Sequence, residues 1–260
     1  MTKRIVEMNL RILQAVMKQP SSISLHPVVL FGALLGIVRD NRLLEWNNDV
    51  ELGVADINWN EESIQDLISG LRAEGYLVNY YRLCRAISIR GKDNVGEVHI
   101  NYFQTNKENI QRPLEPSHRK YTNPVSFYLY LLALLLSSDL DPKNTNVLKA
   151  VFLRINRLLS YKVRQFVCSN LMACSTNLTS CKGIFIFPFK LNNTKQISFH
   201  GITINIPVDE VEVVRKIYGC DWKIPKKDWS YYNPKNYNET SITKINQKWQ
   251  YDNLFKTPEM

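Results

Sequence analysis

Two neighbouring stretches decide the fold: Phe31-Gly32-Ala33-Leu34-Leu35-Gly36-Ile37-Val38-Arg39 and Leu44-Glu45-Trp46-Asn47-Asn48-Asp49-Val50-Glu51-Leu52-Gly53. The apolar run 27–31, which leads into the first stretch, predicts a buried strand, and residues 32–39 predict a short helix. Polar and apolar residues alternate over 49–54, which predicts a half-buried strand. The order of these elements predicts a core in which strands and helices are mixed.

An acidic pair lies on the second predicted strand. Asp49 and Glu51 are two residues apart, so both side chains leave the same face of the strand. Two such carboxylates can bind Mg²⁺ (or Mn²⁺) ions that bridge nucleotide phosphates. Gly32 stands where a strand turns into a helix, and its bare backbone beside free N–H groups suits a phosphate. An exposed alternating strand can also produce an acidic pair with no function, so the pair needs further context.

The two stretches closely resemble the signature of the LicD and fukutin family, G-x-L-L-G-x-x-R followed by P-W-D-D-D-I-D-I-G. A second block, Tyr218-Gly219-Cys220-Asp221-Trp222-Lys223-Ile224-Pro225-Lys226-Lys227-Asp228-Trp229, resembles the fukutin-type Y-G-x-x-W-K-I-P-x-x-x-W. Both blocks occur in the expected order. The resemblance covers roughly residues 28–103 and 197–229.

The resemblance implies an α+β nucleotidyltransferase fold of the polymerase-β type, with a mixed sheet core and a helical insertion. Relatives transfer a phospho-alcohol, such as phosphocholine or ribitol phosphate, from a CDP-linked donor to a sugar hydroxyl of a glycan. The implied partners are therefore a nucleotide-linked donor and a glycan or glycolipid acceptor, with CMP as the leaving group.

The resemblance also implies roles for individual residues. Asp49 and Glu51 are the expected catalytic and metal-binding residues, and the expected substrate-binding residues are Gly32, Gly36, Arg39, Trp222 and Lys223. Some of these have alternatives: Arg39 can pair with Asp40 or Glu45 instead of phosphate, Lys223 can be solvated, and Trp222 can pack under the C-terminal loop.

The sequence departs from the family pattern at two places. Asn47 and Asn48 replace acids of the run before Asp49. The third carboxylate of the fold is expected on the strand 98–103, where the best-matching position holds His99, with Glu97 and Asn101 on the same face. His99 is a candidate catalytic residue, as a nitrogen ligand or as the base for the acceptor hydroxyl. Alternatively Glu97 is the third oxygen ligand, or the site has lost activity.

These departures keep two rival interpretations open. The chain could be a catalytically weakened scaffold or binding subunit of glycan assembly. It could also be a nucleotidyltransferase that acts on a small molecule or a protein.

Periodicity predicts the remaining elements and three parts of the chain. We expect an N-terminal helix before Pro20, and a helix marked by Ile64, Leu67, Ile68 and Leu71 that Asn58 caps and Gly75 ends. Strands are expected at 76–81, 86–90 and 97–103. A hairpin is expected across His200-Gly201, and then a helix that Pro207 opens and Gly219 closes. The parts are an N-terminal core part (1–104), a basic helical insertion (105–195) and a C-terminal core part with its tail (196–260).

The net charge of +9 is concentrated in the insertion. Residues 143–195 contain nine Lys or Arg and no Asp or Glu, whereas the other 24 bases and 24 acids cancel. Apolar residues from Leu148 to Phe166 recur at helical spacing, with bases mainly opposite, which predicts a basic amphipathic helix. Such a helix suits an anionic membrane surface, although it can also be a core helix with a solvated basic side. No nucleic-acid-binding motif accompanies it, so we expect no nucleic-acid partner. We expect a cytoplasmic protein that can associate peripherally with a membrane, because no apolar run is long enough to span one.

Overall fold

The structure, a computed structural model, describes residues 2–105, 110–113, 124–141, 151, 154, 158–178, 183–187, 189–226 and 242–244. The helices with assigned bounds are α1 (Thr2–Lys18), α2 (Ser21–Leu25), α3 (Phe31–Asp40), α4 (Glu61–Ala73), α5 (Pro124–Ser137), α6 (Tyr161–Leu178) and α7 (Glu210–Tyr218). The strands are β1 (Val28–Leu30), β2 (Val50–Ala55), β3 (Leu77–Tyr81), β4 (Ala86–Arg90), β5 (Glu97–Thr105), β6 (Ile110–Pro113), β7 (Gly183–Phe187), β8 (Thr194–Phe199), β9 (Ile202–Pro207) and β10 (Ile242–Lys244). The α+β class predicted from the sequence is confirmed.

The chain divides into two compact units. Unit 1 is formed by the described residues of Met1–Tyr80, Ala86–Arg112 and Ile186–Ser241. Unit 2 is formed by those of Tyr81–Arg85, Pro113–Phe185 and Ile242–Met260. Unit 1 contains both sequence stretches that decide the fold.

Seven strands form one mixed sheet in the order β3-β4-β5-β2-β1-β9-β8. At its centre β2 runs parallel to β5 and antiparallel to β1. The register pairs Glu51 with His99 and Val50 with Val98. On the outer side of β5, β4 runs antiparallel and pairs Ser88 with His99. Strands β2 and β5 are therefore immediate neighbours, and their side chains alternate in step.

The central strands have one fully apolar face. Val50, Leu52, Val98 and Ile100 are all at most 1% exposed, and α1 packs against β5. Because side chains alternate along a strand, the residues between them point to the other face. At the start of β2 and β5 that other face is polar.

Local signals explain how several elements end. Gly75 has φ +88°, and the N–H groups of Gly75 and Tyr76 donate to the carbonyls of Arg72 and Leu71. This is the Schellman pattern that closes α4. The hairpin of β8 and β9 turns at His200 and Gly201, both with positive φ, as a two-residue turn requires.

Two predicted helix starts are wrong. Asn58 does not cap α4, because it lies in a 3-10 turn, Asp56–Asn58. The cap is Asn60, whose side-chain oxygen accepts a hydrogen bond from the N–H of Ser63 at 2.8 Å. Pro207 does not open α7 either, because it pairs with Thr194 at the end of β9. Asp209 precedes the helix instead.

In unit 2, α5 and α6 pack against each other. The Ser126 hydroxyl donates to the carbonyl of Ser175, and the Ser175 hydroxyl donates to the carbonyl of Ser126, both at 2.8 Å. The Cys168 thiol lies 3.5 Å from the carbonyl of Ala133. Strand β7 pairs antiparallel with β10. The segment predicted as a helical insertion therefore also contains strand residues.

Within the described residues, no helix is both long enough and apolar enough to cross a membrane.

Candidate functional site

The polar face at the start of β2 and β5 brings together the acidic pair and His99. Nε2 of His99 lies 3.4 Å from Oε1 of Glu97 and 3.9 Å from Oδ2 of Asp49. Glu51 lies beside His99 in the register of the two parallel strands. One half-buried surface thus contains Asp49, Glu51, Glu97 and His99. The first two residues are 46 to 50 positions away in sequence from the last two.

Asp49 carries its charge in unfavourable surroundings. Burial raises the pKa of its carboxyl, and the negative charge of Glu97 adds to this effect. The charge of His99 lowers the pKa, but not enough to cancel burial. A cation placed here would therefore stabilise the ionised form of Asp49.

Glu97 is held by the neighbouring strand. Its Oε1 accepts a hydrogen bond from the Ser88 hydroxyl at 2.7 Å, and its Oε2 accepts one from Nη2 of Arg90 at 3.0 Å. Burial raises the pKa of Glu97, yet the bonds from Arg90 and Ser88 and the charge of His99 outweigh it, so the pKa is lowered overall. Glu97 is thus a fixed, ionised carboxylate with much of its acceptor capacity already used.

The strand-to-helix junction approaches the same place. A Cβ at Gly32 would lie 2.5 Å from Nδ2 of Asn47, so any other residue there would displace that amide from its present position. Nδ2 of Asn47 donates to the backbone carbonyl of Asp49 at 2.9 Å. Phe31 has φ +50°, a strained value for a residue with a side chain, directly at this junction. Asn47, a departure from the family pattern, therefore links Gly32 to Asp49.

Gly36 and Arg39 face different surroundings. A Cβ at Gly36 would lie 2.4 Å from the carbonyl oxygen of Arg42, so the glycine permits close backbone packing. Arg39 makes a two-pronged contact with Asp40, at 3.0 and 2.8 Å, and its guanidinium lies 5.5 Å from the ring centre of Trp46. The hydrogen bond from Arg39 is the main cause that lowers the pKa of Asp40. Of the alternatives for Arg39, the pairing with Asp40 is present.

The second sequence block contributes a residue that sequence analysis did not assign to the site. Tyr218, at the end of α7, is buried, and the charges of Glu51 and Asp49 act on its hydroxyl. Burial and these charges raise its pKa well above the ordinary value, so the hydroxyl keeps its proton and can donate a hydrogen bond. Tyr218 is the first residue of the Y-G-x-x-W-K-I-P block, and this position is the sequence signal from which it could have been assigned to the site.

Trp222 and Lys223 lie just beyond Tyr218. Trp222 is buried, as the packing alternative predicts, and the exposed Lys223 has its Nζ 5.6 Å from the Trp222 ring centre. Lys226 pairs with Asp221. Lys227 and Trp229 lie outside the described residues.

Asn9 is a second contributor that sequence analysis missed. It is 1% exposed on α1, its Nδ2 donates to the carbonyl of Asn48 at 3.2 Å, and its Oδ1 accepts from the N–H of Glu97 at 2.7 Å. One buried amide therefore joins the residue before Asp49 to the first residue of β5.

The donor set suits a hard divalent cation. Within the part of the chain that the structure describes, no three His, Cys, Asp or Glu side chains form a complete metal-binding group. Mg²⁺ typically uses one or two protein carboxylates and takes its other ligands from water and substrate phosphates. Asp49 and Glu51 can supply that pair, and a bound cation would offset the burial and the Glu97 charge that raise the pKa of Asp49.

In comparisons with known proteins, no protein-family model matches the chain, and no curated protein matches it.

Proposed function

We propose that this protein is a metal-dependent transferase that moves a phospho-alcohol from a CDP-linked donor to a hydroxyl of a cell-surface or lipid-linked glycan. The observation that carries the proposal is the parallel pairing of β2 with β5, which aligns Asp49 and Glu51 with Glu97 and His99 on one face. The motif resemblance supplies the chemistry, and this alignment is the arrangement that such chemistry needs.

The proposal includes a polymerase-β-like nucleotidyltransferase fold for unit 1. Two features support it. The acidic pair lies at the start of β2, with Asp49 directly before the strand and Glu51 within it, after a strand, a helix and a connecting loop. Strand β5 lies directly beside β2. A third functional group at the start of β5 is then within reach of the acidic pair.

On the donor side, Asp49 and Glu51 would hold Mg²⁺ or Mn²⁺. A bound ion would supply positive charge that offsets the negative charge developing during transfer. Gly32, at the N-terminus of α3, offers backbone N–H groups to a phosphate.

On the acceptor side, His99 is the proposed base. The acceptor oxygen attacks the phosphorus that carries the alcohol, the bond from that phosphorus to the bridging oxygen breaks, and CMP leaves. The acceptor proton passes to His99. Glu97, held by Ser88 and Arg90, fixes the imidazole from one side. Because the Glu97 oxygens already accept hydrogen bonds from Ser88 and Arg90, we favour a role for Glu97 in positioning His99 over a role as a third metal ligand.

A catalytically weakened binding subunit is the second candidate. It is favoured by Arg39, whose guanidinium is already engaged by Asp40 and Trp46, and by Asn47 and Asn48 in place of acids. Such a protein would bind the donor without turning it over.

A thermal-shift panel of CDP-, UDP- and GDP-linked compounds, with and without Mg²⁺, tests the proposal. We expect a CDP-alcohol to raise the melting temperature only when Mg²⁺ is present. Release of CMP on addition of glycan acceptors then separates the transferase from the binding subunit. Stabilisation by other nucleotides, with no response to CDP-alcohols, would indicate a nucleotidyltransferase with another substrate.

A further inference from the structure

Large apolar side chains are exposed along α6 and just before it. Leu158 is 85% exposed, Phe166 71% and Val163 46%. Val163 and Phe166 share their side of α6 with Asn170 and Cys174, which are also exposed, at the spacing of one helix face. The inner side of α6 is held to α5 through Ser175 and Cys168. The apolar side chains of Val163 and Phe166 therefore point to solvent, away from α5.

The structure changes the sequence-based picture of this region. A continuous amphipathic helix through Leu148–Phe166 is wrong, because the chain bends at Leu159 and α6 begins only at Tyr161. Leu148, Phe152 and Ile155 lie outside the described residues. The alternative in which this apolar stripe is buried in the core does not hold for Leu158 or Phe166. We call Leu158, Val163 and Phe166 the apolar patch.

Positive charge surrounds the apolar patch in sequence. Arg154, four residues before Leu158, is helical and exposed, and Lys162 falls between the patch residues in sequence. Arg164 is half-buried instead, one turn before Cys168 on the side of α6 that contacts α5. All nine charged residues from Lys143 to Lys195 are basic. Apolar groups that insert, combined with bases that stay at the headgroups, are the features that bind a protein to an anionic bilayer surface. A purely apolar protein partner would not require the uniform charge.

We propose that the apolar patch docks unit 2 onto an anionic lipid surface, with Leu158 and Phe166 entering the interface and Arg154 contacting lipid headgroups. This proposal goes beyond the transfer reaction and does not depend on it. A transferase whose acceptor is carried on a lipid would meet its substrate at such a surface.

Vesicle sedimentation of the full chain tests the proposal, with phosphatidylcholine vesicles that contain or lack phosphatidylglycerol. We expect binding only to the anionic vesicles, weakened by salt. Leu158→Ser with Phe166→Ser should reduce partitioning about tenfold or more. Arg154→Gln should reduce it about fivefold, since a base near the leaflet contributes about 1 kcal/mol.

Matched controls replace equally exposed residues of unit 1. Ile23→Ser with Ile57→Ser removes side chains that are 84% and 75% exposed, and Arg11→Gln with Lys18→Gln removes two exposed bases of α1. Both controls should bind as the wild type does, and circular dichroism should show that all variants fold. Equal binding to neutral and anionic vesicles, no binding, or losses as large in the controls would overturn the proposal. The proposal would also be overturned if the protein bound RNA in a salt-sensitive way but did not bind vesicles, and if Leu158→Ser with Phe166→Ser left the RNA binding unchanged.

Discussion

Asp49 combines a role in the proposed chemistry with a position that is unfavourable for its charge. Its side chain is 36% exposed, and burial and Glu97 raise its pKa. A group with a raised folded-state pKa destabilises the fold when ionised, and this cost disappears as the pH falls through that pKa. The ionised Asp49 should therefore lower the free energy of unfolding at neutral pH, while its negative charge contributes to the proposed affinity for a divalent cation.

Asp49→Asn is predicted to lower transfer about 100-fold or more while raising stability slightly at pH 7. The gain should stay below about 1 kcal/mol, because solvent screens a partly exposed charge. Glu51→Gln should lower transfer similarly. Steady-state turnover and urea unfolding measure the two effects, with Asp66→Asn and Glu62→Gln, exposed acids of α4, as controls. Near wild-type turnover in Asp49→Asn at saturating donor would remove the metal assignment.

Glu97 shows the opposite pH behaviour. Its pKa is lowered, so its contribution to stability is present above the unfolded-state pKa and is lost as the pH falls through the folded-state pKa. Glu97→Gln should destabilise the fold by about 1–2 kcal/mol at pH 7, because the charged bond to Arg90 is lost. The difference from wild type should shrink as the pH falls through the folded-state pKa of Glu97, because the protonated carboxyl is then neutral, as the glutamine side chain is.

Urea unfolding over this pH range measures the effect of Glu97→Gln. Glu212→Gln is the control, since Glu212 makes an exposed pair with Arg215 whose loss should matter little. A difference that does not change with pH would contradict the ionised, held state of Glu97.

Among the elements, α1 connects to the site through one side chain. The buried amide of Asn9 serves the carbonyl of Asn48 and the N–H of Glu97, so the helix aligns the starts of β2 and β5.

Asn9→Ala should cost about 1–3 kcal/mol, because two buried backbone groups lose their partner. It should also lower kcat more than it raises donor KM, since the relative positions of Asp49 and His99 change. Gln14→Ala, which removes only a 3.4 Å contact to His200, is the control on the same helix. If the two variants lose stability and activity equally, Asn9 has no special positioning role.

The start of α4 provides a direct test of a corrected boundary. Asn60→Ala should destabilise the protein by about 1 kcal/mol, because the N–H of Ser63 loses its cap. Asn58→Ala should change the unfolding free energy by less than about 0.5 kcal/mol. Thermal unfolding of the two variants measures these effects. A larger loss of stability in Asn58→Ala than in Asn60→Ala would contradict the assignment of Asn60 as the N-cap of α4.

At the scale of the whole molecule, the two units separate the proposed chemistry from the proposed lipid contact. The acidic pair belongs to unit 1, whereas the apolar patch belongs to unit 2. Hydrogen exchange should therefore respond differently to the two kinds of ligand.

Mg²⁺ with a CDP-alcohol should slow exchange in β2 and β5 and leave α5 and α6 unchanged. Ligand at about 100 times its Kd adds about 2.7 kcal/mol to the stability of the state that binds it. The donor without Mg²⁺ is the control. If the donor with Mg²⁺ slowed hydrogen exchange only in α5 and α6, the assignment of the donor site to unit 1 would be contradicted.

The sequence by itself determined most elements of unit 1. Alternation and apolar runs identified β2, β4 and β5, and Gly75 and the His200-Gly201 turn identified ends and turns. These signals are local: a glycine with positive φ or a period of two is encoded within a few residues. The acidic pair on one face of β2 followed from the same periodicity.

Only the tertiary structure decided what surrounds those residues. It showed that Ser88 and Arg90 hydrogen-bond to Glu97. It showed that Asn9 bonds to Asn48 and Glu97, which are 39 and 88 residues away. It also showed that the charges of Glu51 and Asp49 raise the pKa of Tyr218. It also exposed Leu158 and Phe166, which sequence periodicity could equally assign to a core. Periodicity specifies which residues share a face, but the partner that covers that face, or leaves it open, depends on long-range packing.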